Sequence, residues 1–247
     1  MKNIIIAILA TLFIVGCGGS SSKKTKSTTP DFNNTDAKYD LNTYLQENSS
    51  VVYRSILLTN NSGKKKYSDD SKVETFPTQK SVKTDNVILL QDGTDKETGS
   101  IKILATKLER TFKGSTGSQT IDIVRKFDID DAITNSIMNQ KISNAKVKLT
   151  RICHATDIIE SKEINNIPYT NLLEIECTTS SELIEKNELT TEASLEKTEL
   201  IYMVEKKGIV FNETETCTAV TNVALEQETK VSVCKKETKE MVSFNHL

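Results

Sequence analysis

The chain has 247 residues, with 32 Lys and Arg against 34 Asp and Glu and a formal net charge of -2. So even a balance leaves no electrostatic footprint for nucleic acid or, in general, for anionic membrane, and a chain without Trp and with 5% aromatic residues lacks the material for a base-stacking or carbohydrate-binding platform. A hydrophobic content of 36% predicts a thin core with well-solvated sheet surfaces.

Met1-Lys2-Asn3 carries one positive charge, and the mostly apolar run at residues 4–15 follows. That length suits the apolar region of a secretory signal peptide and falls short of the roughly 20 residues of a membrane-spanning helix. The run ends Ile14-Val15-Gly16-Cys17. An aliphatic pair, a small residue and then cysteine resembles the lipobox of bacterial lipoproteins. The resemblance covers residues 1–17 alone. It implies that Gly16 is the last leader residue and that Cys17 becomes the acylated first residue of the mature chain. Gly18 stands where Asp commonly retains such proteins in the inner membrane, so the resemblance further implies the outer membrane, facing the periplasm. With each buried CH₂ contributing about 0.8 kcal/mol, two or more chains suffice for stable anchoring.

Residues 17–34 read as a lipidated flexible tether: Gly18-Gly19-Ser20-Ser21-Ser22 and the Lys- and Thr-rich stretch behind it have little to bury. Residues 35–247 read as a single β-rich domain. Residues 36–48 predict a short helix, capped by Asp36, with Leu41, Tyr44 and Leu45 at helical spacing. Residues 51–58 predict a buried strand, closed by Asn60-Asn61-Ser62-Gly63. Residues 87–91 predict another, with Asp92-Gly93-Thr94-Asp95 as a turn. Residues 101–112 predict one long strand on which Leu104, Leu108 and Phe112 share a parity. Beyond the turn at residues 114–118, Ile121, Ile123, Phe127 and Ile129 share one face with Asp122, Lys126 and Asp128 opposite, the period of a half-solvated antiparallel strand. Asp130-Asp131 as a cap, with Ile133 and Ile137 at i, i+4, predicts a helix over residues 132–141.

The remainder predicts hairpins. Residues 147–159 and 167–178 flank Asn165-Asn166, and a hairpin centred on position 165 sets Cys153 opposite Cys177. Residues 195–204 and 209–216 flank Glu205-Lys206-Lys207-Gly208, where Gly208 suits a left-handed position. A hairpin centred near Leu225-Glu226 sets Cys217 opposite Cys234, although Val220, Val223 and Ala224 also fit a short helix. Five cysteines less Cys17 leave four, and an even remainder in an exported chain reads as two disulfides. Of the three formal pairings, these registers select Cys153–Cys177 and Cys217–Cys234, each worth about 3 kcal/mol in the chain-entropy model.

The sequence holds no Gly-x-Ser-x-Gly, His-Glu-x-x-His or phosphate-loop motif. Its two histidines, His154 and His246, sit beside no convincing ligand set, because His154 and Cys153 point to opposite faces of a strand. The expectation is a non-enzyme without metal or cofactor. The fold expected is mainly β: a large curved antiparallel sheet or open half-barrel with one or two short covering helices. An incompletely covered sheet face leaves a groove, for which Leu104, Leu108, Phe112, Ile121, Ile123 and Phe127 are the candidates. The function expected is a membrane-anchored, non-catalytic periplasmic binding module for a hydrophobic ligand, an acyl chain or a peptide. The alternative is a structural or assembly lipoprotein whose polar strands engage another envelope protein.

Overall fold

The computed structural model describes residues 26–114, 117–142, 145–185, 190–224 and 227–247. The expected signal peptide and Cys17 lie outside the described residues. The strands are β1 (Tyr39–Asp40), β2 (Ser49–Asn60), β3 (Val73–Thr75), β4 (Thr78–Thr84), β5 (Val87–Asp92), β6 (Glu97–Ile103), β7 (Lys107–Gly114), β8 (Gly117–Val124) and β9 (Lys126–Phe127). They continue as β10 (Ala132–Ile142), β11 (Ala145–Ile164), β12 (Ile167–Glu185), β13 (Thr190–Val204), β14 (Gly208–Ala224) and β15 (Gln227–His246). One antiparallel sheet runs in the order β10-β11-β12-β13-β14-β15-β2-β4-β5-β6-β7-β8, with β3 paired to β2 off that path. The two ends of this order meet. Thr134 Oγ1 on β10 donates to Asp122 O on β8 at 3.0 Å, and the short β1–β9 ladder lies at the seam. The sheet is thus nearly closed into a barrel, which leaves few free edges.

Alternation along the strands explains this. On β12, Leu173, Ile175, Cys177 and Thr179 are buried, while Glu176, Thr178 and Ser180 face out. On β11, Ala145, Val147, Leu149, Cys153 and Ala155 are buried on one parity. A single residue's slip would turn each set into solvent. The β11–β12 turn is Asn165-Asn166 with φ of 52° and 60°, the left-handed pair of a two-residue hairpin. From that turn, Ile164 pairs with Ile167, a register that would set Cys153 against Thr178. A bulge at Thr156, between Ala155 and Asp157, absorbs one residue and brings Cys153 opposite Cys177. Both disulfides are formed, Cys153–Cys177 and Cys217–Cys234, each across directly paired positions. Gly208 has φ 76°, and a Cβ there would stand 2.9 Å from the Gln46 Cβ, so the β13–β14 turn requires glycine on two counts.

Among the described residues helix is almost absent, and the expected covering helices are not formed. Residues 132–141 form strand β10: Thr134 and Ser136 are buried while Asn135 and Ile137 are exposed, Ile137 at 61%. A spacing of four fits a strand face as well as a helix face, and the bulge between Ala132 and Thr134 explains why Ile133 is buried while Ile137 faces out. Asp131, expected as a helix cap, instead closes a turn by accepting from Asp128 N at 2.7 Å. The expected helix at residues 36–48 is a 3-10 turn of 4 residues, Leu41–Tyr44. Residues 101–112 are likewise two strands, β6 and β7, joined by a turn in which Leu104 N donates to Lys107 O. Val220 lies in β14, not in a helix. The described part of the expected tether, residues 26–34, rests on the body: Ser27 O is 2.8 Å from His154 Nε2, and Asn135 Nδ2 donates to Thr28 O at 3.0 Å.

The 3-10 turn plugs one end of the barrel. Leu41, Tyr44 and Leu45 are buried in the main core with Phe127, Leu108, Leu173 and Met203. Asp40 accepts from Asn42 N and caps the turn, and Lys206 N donates to Thr43 O. A second cluster joins the far end of the β11–β12 hairpin (Ile164, Tyr169, Leu172) to Val51, Tyr53, Tyr202 and Val210. A third gathers Ile142, Val147, Leu149 and Ala193 at the opposite ends of the long strands.

Candidate functional site

Inside the barrel, above the plug, lies a cavity of about 480 Å³. Leu41 and Leu45 belong to its floor. One wall is built from β6, β7 and β8, where Ile101, Arg110 and Ile121 form one row of paired positions and Phe112 and Gln119 the next. The other wall is built from β10 to β13. There Thr134, Cys153, Cys177 and Glu199 form one row, and Ser136, Arg151, Thr179 and Lys197 the next. The Cys153–Cys177 disulfide is therefore part of the cavity wall, while Cys217–Cys234 joins β14 to β15 away from it.

Of the six residues expected to line a groove, Leu108, Phe112, Ile121 and Ile123 do so. Leu104 does not: it belongs to the β6–β7 turn, and its carbonyl accepts from Arg125 Nη1 at 3.2 Å. Phe127 does not either. It is fully buried at the seam, stacked on Tyr39 with ring centroids 5.7 Å apart, where it packs the core.

The polar lining escaped the sequence reading. Glu199, 8% exposed in its side chain, meets Arg151 Nε at 2.7 Å and Lys197 Nζ at 3.1 Å. Burial pushes the Glu199 carboxyl up, but the charges and hydrogen bonds of Arg151 and Lys197 outweigh it and hold the group below its ordinary value. Arg151 Nη2 also reaches Cys177 Sγ at 3.2 Å. Arg110, on the facing wall, has no such partner. Among the described residues none accepts a hydrogen bond from it; its Nε is buried and unpaired, and its guanidinium lies over the Phe112 ring at 4.7 Å. Burial, and then the like charge of Arg151, hold its pKa below the usual guanidinium value. Ser136 Oγ, also in the lining, is a second buried polar atom without a partner. One signal was readable: Arg110 shares its parity with Leu108 and Phe112, so a charge sits on the apolar face of β7.

The lining thus carries three cations and one carboxylate within an otherwise mostly apolar chamber. Among the described residues, the two lining hydroxyls meet no imidazole or carboxylate: Thr134 Oγ1 donates to Asp122 O, and Ser136 Oγ is unpaired. Among the described residues no group of three or more His, Cys, Asp or Glu side chains is placed to hold a metal ion. His154 is tied to Ser27 O, and His246 packs edge-on to Phe244. Among the described residues no helix is long and apolar enough to cross a membrane.

What the geometry defines is a class of architecture: a disulfide-bonded, nearly closed antiparallel barrel with a half-open chamber. No family model matches the chain, and no curated protein matches its sequence.

Proposed function

We propose that this chain is a membrane-anchored lipoprotein of the bacterial envelope whose barrel is a non-catalytic binding module for a hydrophobic ligand. The observation that carries the reading is the chamber of about 480 Å³ lined by Leu108, Ile121, Ile123, Ile175 and Ile201. A concave, mostly apolar chamber with a few polar groups, within the roughly 300–1,000 Å³ range of small-molecule sites, supports a binding role. The anchor rests on Ile14-Val15-Gly16-Cys17, and Gly18 favours the outer membrane, facing the periplasm. Two half-cystines in the chamber wall accord with an oxidising compartment.

Native mass spectrometry of protein extracted gently from envelopes tests both halves. The expected result is acylated Cys17 together with a co-purifying hydrophobic small molecule. Ile121→Trp, which fills the chamber, is expected to lose that molecule while keeping both disulfides. An empty chamber in the native protein would defeat the binding reading, and an unmodified amino-terminal thiol would defeat the anchor. A second reading, assembly with another envelope protein, draws on Val73 and Phe76, exposed at 56% and 61% on and beside the short β3. A co-purified protein with an empty chamber is the result that would favour it.

A further inference from the structure

Arg110 is anomalous for a structural residue. Its side chain is half-buried with Nε fully enclosed, and a cation drawn that far out of water is normally paired, because an unpaired one loses hydration without recompense. On its own wall the paired neighbours Ile101 and Ile121 are aliphatic, and the Phe112 ring under the guanidinium at 4.7 Å offers a π face but no anion. The nearest carboxylate in the lining, Glu199, is already shared by Arg151 and Lys197. The chamber therefore holds a positive charge with no anionic partner among the described residues and an unpaired hydroxyl, Ser136 Oγ, beside an apolar volume. The missing partner has to bring an oxyanion and an alkyl body together. The chamber's size, toward the lower part of the range for small-molecule sites, suits one chain rather than several.

We propose that the ligand is a single-chain anionic amphiphile, its carboxylate or phosphate head received by the Arg110 guanidinium and its alkyl chain lying among Leu108, Ile121, Ile123 and Ile175. This rests on the hydrophobic-ligand reading and sharpens it. Guanidinium offers a planar fork of N–H donors that matches either head group, and such charge-assisted pairs are the stronger hydrogen bonds. Arg151 on the facing wall adds to the attraction without being free to move, since Glu199 holds it.

The test is titration of the full chain, held in a nonionic sugar detergent, with decanoate, decyl phosphate and decanol, read by native mass spectrometry. The native chain is expected to bind at least one of the two anions about tenfold to a hundredfold more tightly than decanol, the discrimination of a charged hydrogen-bonded pair. Whichever anion binds better identifies the head group. Arg110→Met is expected to abolish that preference while still binding decanol, which also reports that its fold is intact. Arg110→Lys, which keeps the charge and loses the fork, is expected to fall between. Equal binding of decanol and both anions by the native chain, or an anion preference that survives in Arg110→Met, overturns the proposal and leaves the hydrophobic-ligand reading standing. Binding of none of the three defeats both.

Discussion

Two arginines, fifteen residues apart in the chain, sit in regions built on opposite terms. At the seam, Arg125 is fully engaged: Nε donates to Asp40 Oδ1 at 3.0 Å, Nη2 to Asp40 Oδ2 at 2.9 Å, and Nη1 to Leu104 O. The same Asp40 caps the 3-10 turn, and Leu41 N donates to Arg125 O at 2.7 Å. The plug is thereby locked to the place where the barrel closes. In the chamber, Arg110 engages no acceptor among the described residues, although it is half-buried and its Nε is enclosed. The difference separates a cation that holds the fold from one that the fold must carry. Where an arginine serves closure, a carboxylate and carbonyls saturate it. Where one is left open against an apolar volume, stability is being given up, and such local sacrifices are a mark of binding sites.

Substitutions break this comparison in order of size. Phe127→Ala removes a fully buried ring from the seam and is expected to cost about 3–5 kcal/mol. Urea unfolding should show the midpoint fall sharply, and a change below about 1 kcal/mol would mean that the seam is not where the barrel is held. Arg125→Met comes next. It deletes the bidentate pair and strands the Asp40 carboxylate, for an expected loss of about 2 kcal/mol. Arg110→Met should move the other way, stabilising the ligand-free protein by up to about 1 kcal/mol, because an apolar side chain recovers the desolvation of a half-buried cation without an anionic partner and gives up only its contact with the Phe112 ring. Opposite signs at the two positions sharpen the comparison. A loss of stability in both would erase it.

The parts of this architecture that were legible in the sequence are those set by neighbours in the chain. Asn165-Asn166 and Gly208 announce their turns because few residues tolerate positive φ. A hairpin register counted from such a turn is enough to pair Cys153 with Cys177, even though the true turn centre is half a residue away and the Thr156 bulge makes up the difference. The chamber wall on β7 and β8 was legible for the same reason: period two sorts Leu108, Phe112, Ile121 and Ile123 onto one face. The misread parts are those that the third dimension decides. The identity of β10 depends on β11 beside it, since the spacing of Ile133 and Ile137 alone fits a helix. Phe127 was counted with the groove because it is apolar, and only its pairing and stacking with Tyr39, 88 positions earlier in the chain, show that it is core. The clamp of Asp40 on Arg125 spans 85 residues, beyond any local pattern.

Arg151 stands between the two extremes, and its partner gives the smallest effect expected. Glu199 is nearly buried, yet its carboxyl is held below the ordinary glutamate value because Arg151 and Lys197 overcome the cost of burial. A group whose folded value is depressed contributes stability that is fully present above its unfolded value, about 4.5, and that fades as pH falls through the folded value. Glu199→Gln removes the charge at every pH. The native protein should therefore melt higher than Glu199→Gln near neutral pH, and the two melting curves should converge as the native carboxyl takes up its proton below about pH 4.5. A gap that stays constant down to about pH 3 would mean that Glu199 contributes shape rather than charge. In that case Arg151 would count as a second uncompensated cation, and the contrast between the chamber and the seam would be wider than the geometry indicates.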